Sequence, residues 1–217
     1  MKIQLYMICA SCVLGAVSCE NGTEIRTQGR SLGEIEVSAD EGFRSVAITT
    51  DGVWYVGEAD SADWVSFDDT VGRDNGAFTV FYEANKSDLS ETRLKRMARI
   101  VVSTADKYTA DTLYLKQYGA PAVLRFRSSE VEVGAAGGTL SVEVSSNIPA
   151  AESRRIKVSA DAAWIRNLSF DGISQVRFAA VATSEGRRGT ITISFIDGWG
   201  DMCSSSIDVI QKAEGGL

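Results

Sequence analysis

Histidine is absent from all 217 residues. That excludes Ser-His-Asp and Cys-His nucleophile arrangements and every imidazole metal site. Cysteine is confined to one end: Cys9, Cys12 and Cys19 account for three of the four, and only Cys203 lies beyond them. No intramolecular disulfide is expected, so each domain must stand on its apolar core. There are two prolines, which excludes collagen-like and proline-rich architectures. An excess of positive charge is lacking too. The formal net charge is −7, which argues against a nucleic-acid partner, since phosphates need a basic face. No cofactor is expected.

What is present begins with a leader. Lys2 precedes an apolar run that ends in the small residues Gly15, Ala16 and Ser18. The run is shorter than the roughly 20 apolar residues of a membrane-spanning helix. Residues 1–18 therefore read as a signal peptide. Small residues followed by Cys19 and a polar stretch resemble a bacterial lipobox, with Ala16 in the place of the usual aliphatic residue. On that resemblance Cys19 becomes the lipid-bearing N-terminus, and the membrane is reached through the lipid. The alternative is ordinary secretion with cleavage near Ser18. Residues 19–30 have no apolar period and read as a lipid-anchored flexible tether.

The rest of the chain says one thing twice. "DSADWVSF" at 60–67 is echoed by "SADAAWIRNLSF" at 159–170. An offset of 96 lays residues 34–50 on residues 130–146 without a gap. Glu34/Glu130, Glu36/Glu132, Val37/Val133, Ala39/Ala135, Gly42/Gly138, Ser45/Ser141 and Val46/Val142 are identical. With small insertions the match continues: Trp64 on Trp164, Phe67 on Phe170, 78–84 on 176–182, 96–103 on 187–194, and Gln117 on Gln211. Each copy alternates apolar and polar residues in short runs divided by turn residues, the signal of half-buried strands. The spacing predicts an all-β chain of two tandem immunoglobulin-like β-sandwich domains, about seven strands each. They are placed at 31–119 and 126–214, with a linker over 120–125 punctuated by Pro121. Residues 86–99, an insertion in copy one, read as an exposed charged loop. Trp54, Trp64 and Trp164 are assigned to the cores.

The pattern of a paired "W-x-V … W-V", an Asn, an "R-x-G-x-I" strand and a closing "V-x-Q" resembles BACON domains, the Bacteroidetes-associated carbohydrate-binding, often N-terminal modules. Copy one carries Trp54, Val56, Trp64, Val65, Asn85, Arg96, Ile100 and Gln117. Copy two carries Trp164, Arg187, Gly189, Ile191 and Gln211, and departs at Ile156 and Thr183. The resemblance covers residues 31–214. It implies a sandwich on a surface lipoprotein of the outer membrane or cell surface, with a polysaccharide or host glycan as ligand. A spacer that holds a partner off the membrane is equally compatible with it.

Candidate sites follow, each beside its plainer reading. Trp199, in the turn "DGWGDM", and Tyr108, in the equivalent turn of copy one, suit stacking on sugar rings, with Asp197 and Asp201 as hydrogen-bonding neighbours. The plainer reading folds these aromatics back on their own domains. Asp68, Asp69 and Asp74 share one loop with Asn75 and could hold Ca²⁺; otherwise the loop is simply acidic and solvated. The arginines of "R-x-G/A-x-I" stand at strand starts, where edge charge and loop bonding account for them. Cys203 lacks a His to activate it and reads as a structural thiol. A glycosidase pair needs two carboxylates roughly 5–10 Å apart across a cleft. Small sandwiches with short loops offer little depth for one, so the chain is read as non-catalytic. The expected function is a non-catalytic envelope lipoprotein, a carbohydrate-binding or spacer module in glycan use. The alternative is a structural or protein-interaction component with an envelope protein as partner.

Overall fold

The computed structural model describes residues 33–58, 60, 62–105 and 110–215, together with the backbone of Gln4–Ile8 and Glu24–Arg26. The chain divides into two compact units. The first comprises residues 1–86 and 95–119; the second comprises 87–94 and 120–217.

In the first unit the strands are β1 (Gln4–Ile8), β2 (Glu24–Arg26), β3 (Gly33–Val37), β4 (Gly42–Thr49) and β5 (Val53–Glu58). They are followed by β6 (Val65–Phe67), β7 (Val71–Arg73), β8 (Gly76–Tyr82), β9 (Arg96–Thr104) and β10 (Ala110–Gln117). Two five-stranded sheets result, in the orders β2-β1-β4-β8-β6 and β3-β10-β9-β5-β7. In the second unit the strands are β11 (Leu124–Phe126), β12 (Glu130–Val133), β13 (Gly138–Ser146) and β14 (Lys157–Ala160). Then come β15 (Ile165–Phe170), β16 (Gln175–Ala180), β17 (Arg187–Ile196) and β18 (Met202–Gln211). The sheet orders here are β11-β13-β16-β15 and β12-β18-β17-β14.

Both units have the immunoglobulin topology. The opening stretch is split between the two sheets, and its second half runs parallel to the last strand: β3 on β10, β12 on β18. That split makes the second unit eight strands where the repeat predicted about seven. The cores sit between the sheets, because alternate side chains of each strand point inward. Val46, Ile48, Phe78, Val80, Ile100 and Leu115 fill the first; Val176, Phe178, Ile191, Ile193, Phe195 and Val209 fill the second.

The repeat holds at the level of registers. Phe43 faces Phe81 as Thr139 faces Ala179, and Val56 faces Val102 as Val158 faces Ile193. Three segments differ from expectation. Residues 120–125, expected as a linker, belong to the second unit, where Leu124 is buried on β11. The apolar side chain at 124 has an interior to fill, that of the second core. Residues 86–99, expected as an exposed loop, divide. Arg96–Arg99 open β9, and Ser87–Leu94 belongs to the second unit with Leu94 buried in its core. Within 19–30, expected as a tether, Glu24–Arg26 is a strand paired with β1, which itself lines β4. Cys19 lies outside the described residues.

The first unit also has a strand that the second lacks. β7 pairs with β5 and brings Gly72 opposite Trp54. A Cβ on Gly72 would lie 1.9 Å from the Trp54 ring, and one on Gly76 would lie 3.1 Å away. The Trp54 Nε1–H donates to the Asp74 carbonyl at 3.1 Å. The segment 67–76 is thus a cover for a large buried indole, and Ile156 in copy two needs no such cover. Gly72→Ala forces the ring to move and should cost about 1–3 kcal/mol, the usual range for overpacking. Chemical denaturation checks this: the midpoint should fall at unchanged slope.

Candidate functional site

A cluster repeated in both units governs their ends. In the first, the Arg96 guanidinium lies 4.1 Å from the centroid of the Trp64 ring, a cation–π contact. Its Nε–H donates to Gln117 Oε1 at 2.9 Å, and Nη2 donates to the Glu83 carbonyl at 2.9 Å. Gln117, buried, turns its Nε2 donors to the carbonyls of Asp40 and Glu83 at 3.1 and 2.9 Å. In the second unit Arg187 stands 4.4 Å over Trp164 and donates to Gln211 Oε1 at 2.9 Å. Gln211 Nε2 reaches the carbonyls of Gly134 and Val181. These arginines are stitched to an indole and a buried amide, a stronger role than the edge charge expected of them. The glycine of the motif has its reason as well: a Cβ on Gly189 would approach Trp164 to 3.2 Å and Ile165 to 2.9 Å. Trp54 and Trp64 are buried as expected, and Trp164 is half-buried against the second core.

The remaining basic residues do not form a patch. Arg99 makes a bidentate pair with Asp60, and Arg93 pairs with Glu91. The basic run 93–99 is therefore spent largely on local partners and on the stack over Trp64.

The residues expected to bind glycan are placed differently. Asp197 is buried, and its Oδ1 accepts the backbone N–H of Trp199 at 2.9 Å and of Asp201 at 3.0 Å. It ties its own turn. Trp199 is half-buried in that turn, which Gly200 closes with a φ of 91°. Asp201 is exposed beside it. Tyr108 lies outside the described residues.

The acidic loop is also committed to structure. Asp68 Oδ1 accepts the N–H groups of Thr79 and Asp69 at 2.6 and 2.8 Å. Asp74 takes the left-handed conformation, φ 56°, and offers its carbonyl to Trp54. Among the described residues no three acidic or thiol groups converge as metal ligands, so Asp68, Asp69 and Asp74 are not gathered into one ligand cluster. Asp171, the acid that copy two retains, accepts the N–H groups of Ile173, Ser174 and Gln175. Cys203 is half-buried against the second core, and burial pushes its thiol up. That fits the structural role expected of it.

The sequence reading passed over an exposed aromatic pair. On the outer face of the sheet β4-β8-β6, Phe43 and Phe81 are a cross-strand pair, 48% and 42% exposed. Their ring centroids are 6.2 Å apart at an interplanar angle of 43°. Beside them lies a cavity of about 370 Å³ whose walls include Trp64, Ser66, Glu41, Asp63 and Glu83. The two rings give an apolar floor, the three carboxylates give acceptors, and no lining residue is basic. Strand parity was the available signal. With Val46, Ile48, Phe78 and Val80 inward, Phe43 and Phe81 must point out. In copy two the same two places hold Thr139 and Ala179.

No family model matches the chain, and no curated protein matches it. Among solved structures it is similar to a Bacteroides ovatus GH5 xyloglucanase in complex with a XXXG heptasaccharide. That likeness has 19% identity and a TM-score of 0.33, over 48% of this chain and 20% of that one. It is similar to a titin Z1Z2 tandem at 14% identity and a TM-score of 0.32, over 85% of this chain and 98% of that one. Mouse cadherin-23 EC22-24 gives 11% identity and 0.32, over 85% and 63%.

Hydrogen bonds from backbone N–H groups hold the Asp68 and Asp171 carboxyls below the usual range, led by Thr79 and Gln175 respectively. A carboxyl with a lowered folded-state pKa adds stability that is full above its ordinary value near 4 and is lost as pH falls. The stability gap between wild type and Asp171→Ala should therefore narrow between about pH 5 and pH 2. Urea denaturation across that range checks this, and a constant gap would remove the charge from the explanation.

Proposed function

We propose that this chain is a non-catalytic module of a bacterial cell envelope, held by lipid at Cys19, whose first sandwich binds a neutral polysaccharide. The observation that carries the reading is the exposed Phe43–Phe81 pair beside a cavity walled by Glu41, Asp63 and Glu83. Sugar rings present C–H faces that pack on aromatic rings, and hydroxyls that donate to carboxylates. The BACON resemblance points the same way. The site is assigned to copy one alone, because Thr139 and Ala179 give copy two no aromatic floor. That difference favours a second role, a spacer, for the second sandwich.

Affinity electrophoresis tests the reading, with soluble neutral glucans, galactomannans and xylans set against polyanionic glycans. The expected result is retardation by at least one neutral polymer and by no polyanion. Phe81→Ala should weaken it roughly tenfold, as the loss of an aromatic contact of about 1.5 kcal/mol would. Thr139→Ala should leave it unchanged. Absence of retardation with every polymer, in a folded protein, would leave the spacer or protein-partner role for both sandwiches.

A further inference from the structure

Phe43, Phe81 and Ser66 form one row across three strands. Phe43 on β4 stands opposite Phe81 on β8, and Phe81 stands opposite Ser66 on β6. All three are exposed, and β6 is the edge of its sheet. Neighbouring strands lie roughly 4.8 Å apart, so the row is straight and advances by about the length of a sugar residue per strand.

The two rings in the row are not coplanar. Their planes meet at 43°, with centroids 6.2 Å apart. The sheet itself twists by roughly 20–25° from strand to strand, so rings seated on neighbouring strands start from a tilt. A platform so tilted sorts polysaccharides by the screw of their backbone. A two-fold chain, such as a β-1,4-glucan or β-1,4-mannan ribbon, holds successive pyranose rings in one plane. It can lie flat on Phe43 or on Phe81 but not on both. A three-fold chain, such as β-1,4-xylan, turns each ring a third of a turn from the last and offers two successive faces at an angle. A β-1,3-glucan is twisted as well, but it coils, and the straight row asks for an extended chain.

The acids beside the row are uncommitted. Glu41, Asp63 and Glu83 line the cavity there. Nearby, Asp40 pairs with Lys86 and Asp60 with Arg99, whereas none of these three carboxylates is in a salt bridge or a side-chain hydrogen bond among the described residues. They remain as acceptors for sugar hydroxyls.

We infer that the first sandwich selects an extended, three-fold polysaccharide of the β-1,4-xylan kind, with successive residues stacked on Phe43 and Phe81 and a third bonded at Ser66. The inference rests on the reading that this face binds a neutral polysaccharide. A preformed tilted platform favours the chain that need not be untwisted to meet it.

Isothermal titration calorimetry of the full chain with xylohexaose, cellohexaose, mannohexaose and laminarihexaose tests the selection. Xylohexaose should bind roughly tenfold or more tightly than each of the other three. Phe43→Ala and Phe81→Ala should each weaken it about tenfold, and Ser66→Ala about threefold, with the circular dichroism spectrum unchanged. Phe81→Leu, which keeps apolar bulk and loses the flat face, should weaken it as well. Equal or tighter binding of any other hexaose overturns the selection and leaves the neutral-polysaccharide reading standing. Xylohexaose binding that survives the phenylalanine substitutions overturns the placement on the row. If none of the four binds, the selection falls, and affinity electrophoresis with the neutral polymers decides the wider reading separately.

Discussion

The arginine stacked on an indole and held by a buried glutamine is the contact on which each sandwich depends. It gathers three parts of the chain that are far apart in sequence: the Trp before β6 or β15, the Arg that opens β9 or β17, and the Gln that ends β10 or β18. The amide then spends its two N–H donors on carbonyls of the neighbouring loops. A guanidinium and an amide inside a sandwich end are tolerated because their donors and acceptors meet partners. The motif "W … R-x-G/A-x-I … Q" recurs because these are the residues the lock needs. The small residue in it is the buried Ala98 in copy one and, in copy two, Gly189, where a Cβ would crowd Trp164 and Ile165.

Around that common lock the copies have diverged at the surface. Copy one has a large indole at Trp54 and an added strand with Gly72 to cover it. It also shows two phenylalanines on an outer face where copy two shows a threonine and an alanine. Core exchanges alter stability, whereas outward exchanges change what a domain can touch. The proposed function accordingly sits on Phe43 and Phe81 rather than on the tryptophans.

Much of the fold was legible before any coordinates. The offset of 96 placed equivalent residues correctly, since strand registers depend on alternation and turns that the sequence displays directly. The site was less legible for a physical reason. Trp199 drew attention as an aromatic in a turn, but Asp197 folds inward to bind the N–H groups of that turn. Asp68 and Asp171 likewise satisfy backbone donors, a use of acids that composition cannot tell from ligand binding. Phe81 stands between Val80 and Tyr82 and Phe43 beside Arg44, and only cross-strand pairing shows that they share one exposed face. Leu94 sits in a charged stretch, and its burial comes from packing remote in sequence.

The most direct measurement is the unfolding free energy of Gln117→Ala beside Gln211→Ala, read by hydrogen exchange in peptides from each unit. Each substitution removes the amide's bonds to the loop carbonyls and to the arginine Nε, at about 1–3 kcal/mol per buried group left unsatisfied. The account predicts a loss of about 2 kcal/mol or more, spread over every strand of the unit that carries the change and similar in the two copies. A loss below about 0.5 kcal/mol, the scale of an ordinary surface substitution, would contradict it. So would a loss confined to the substituted strand.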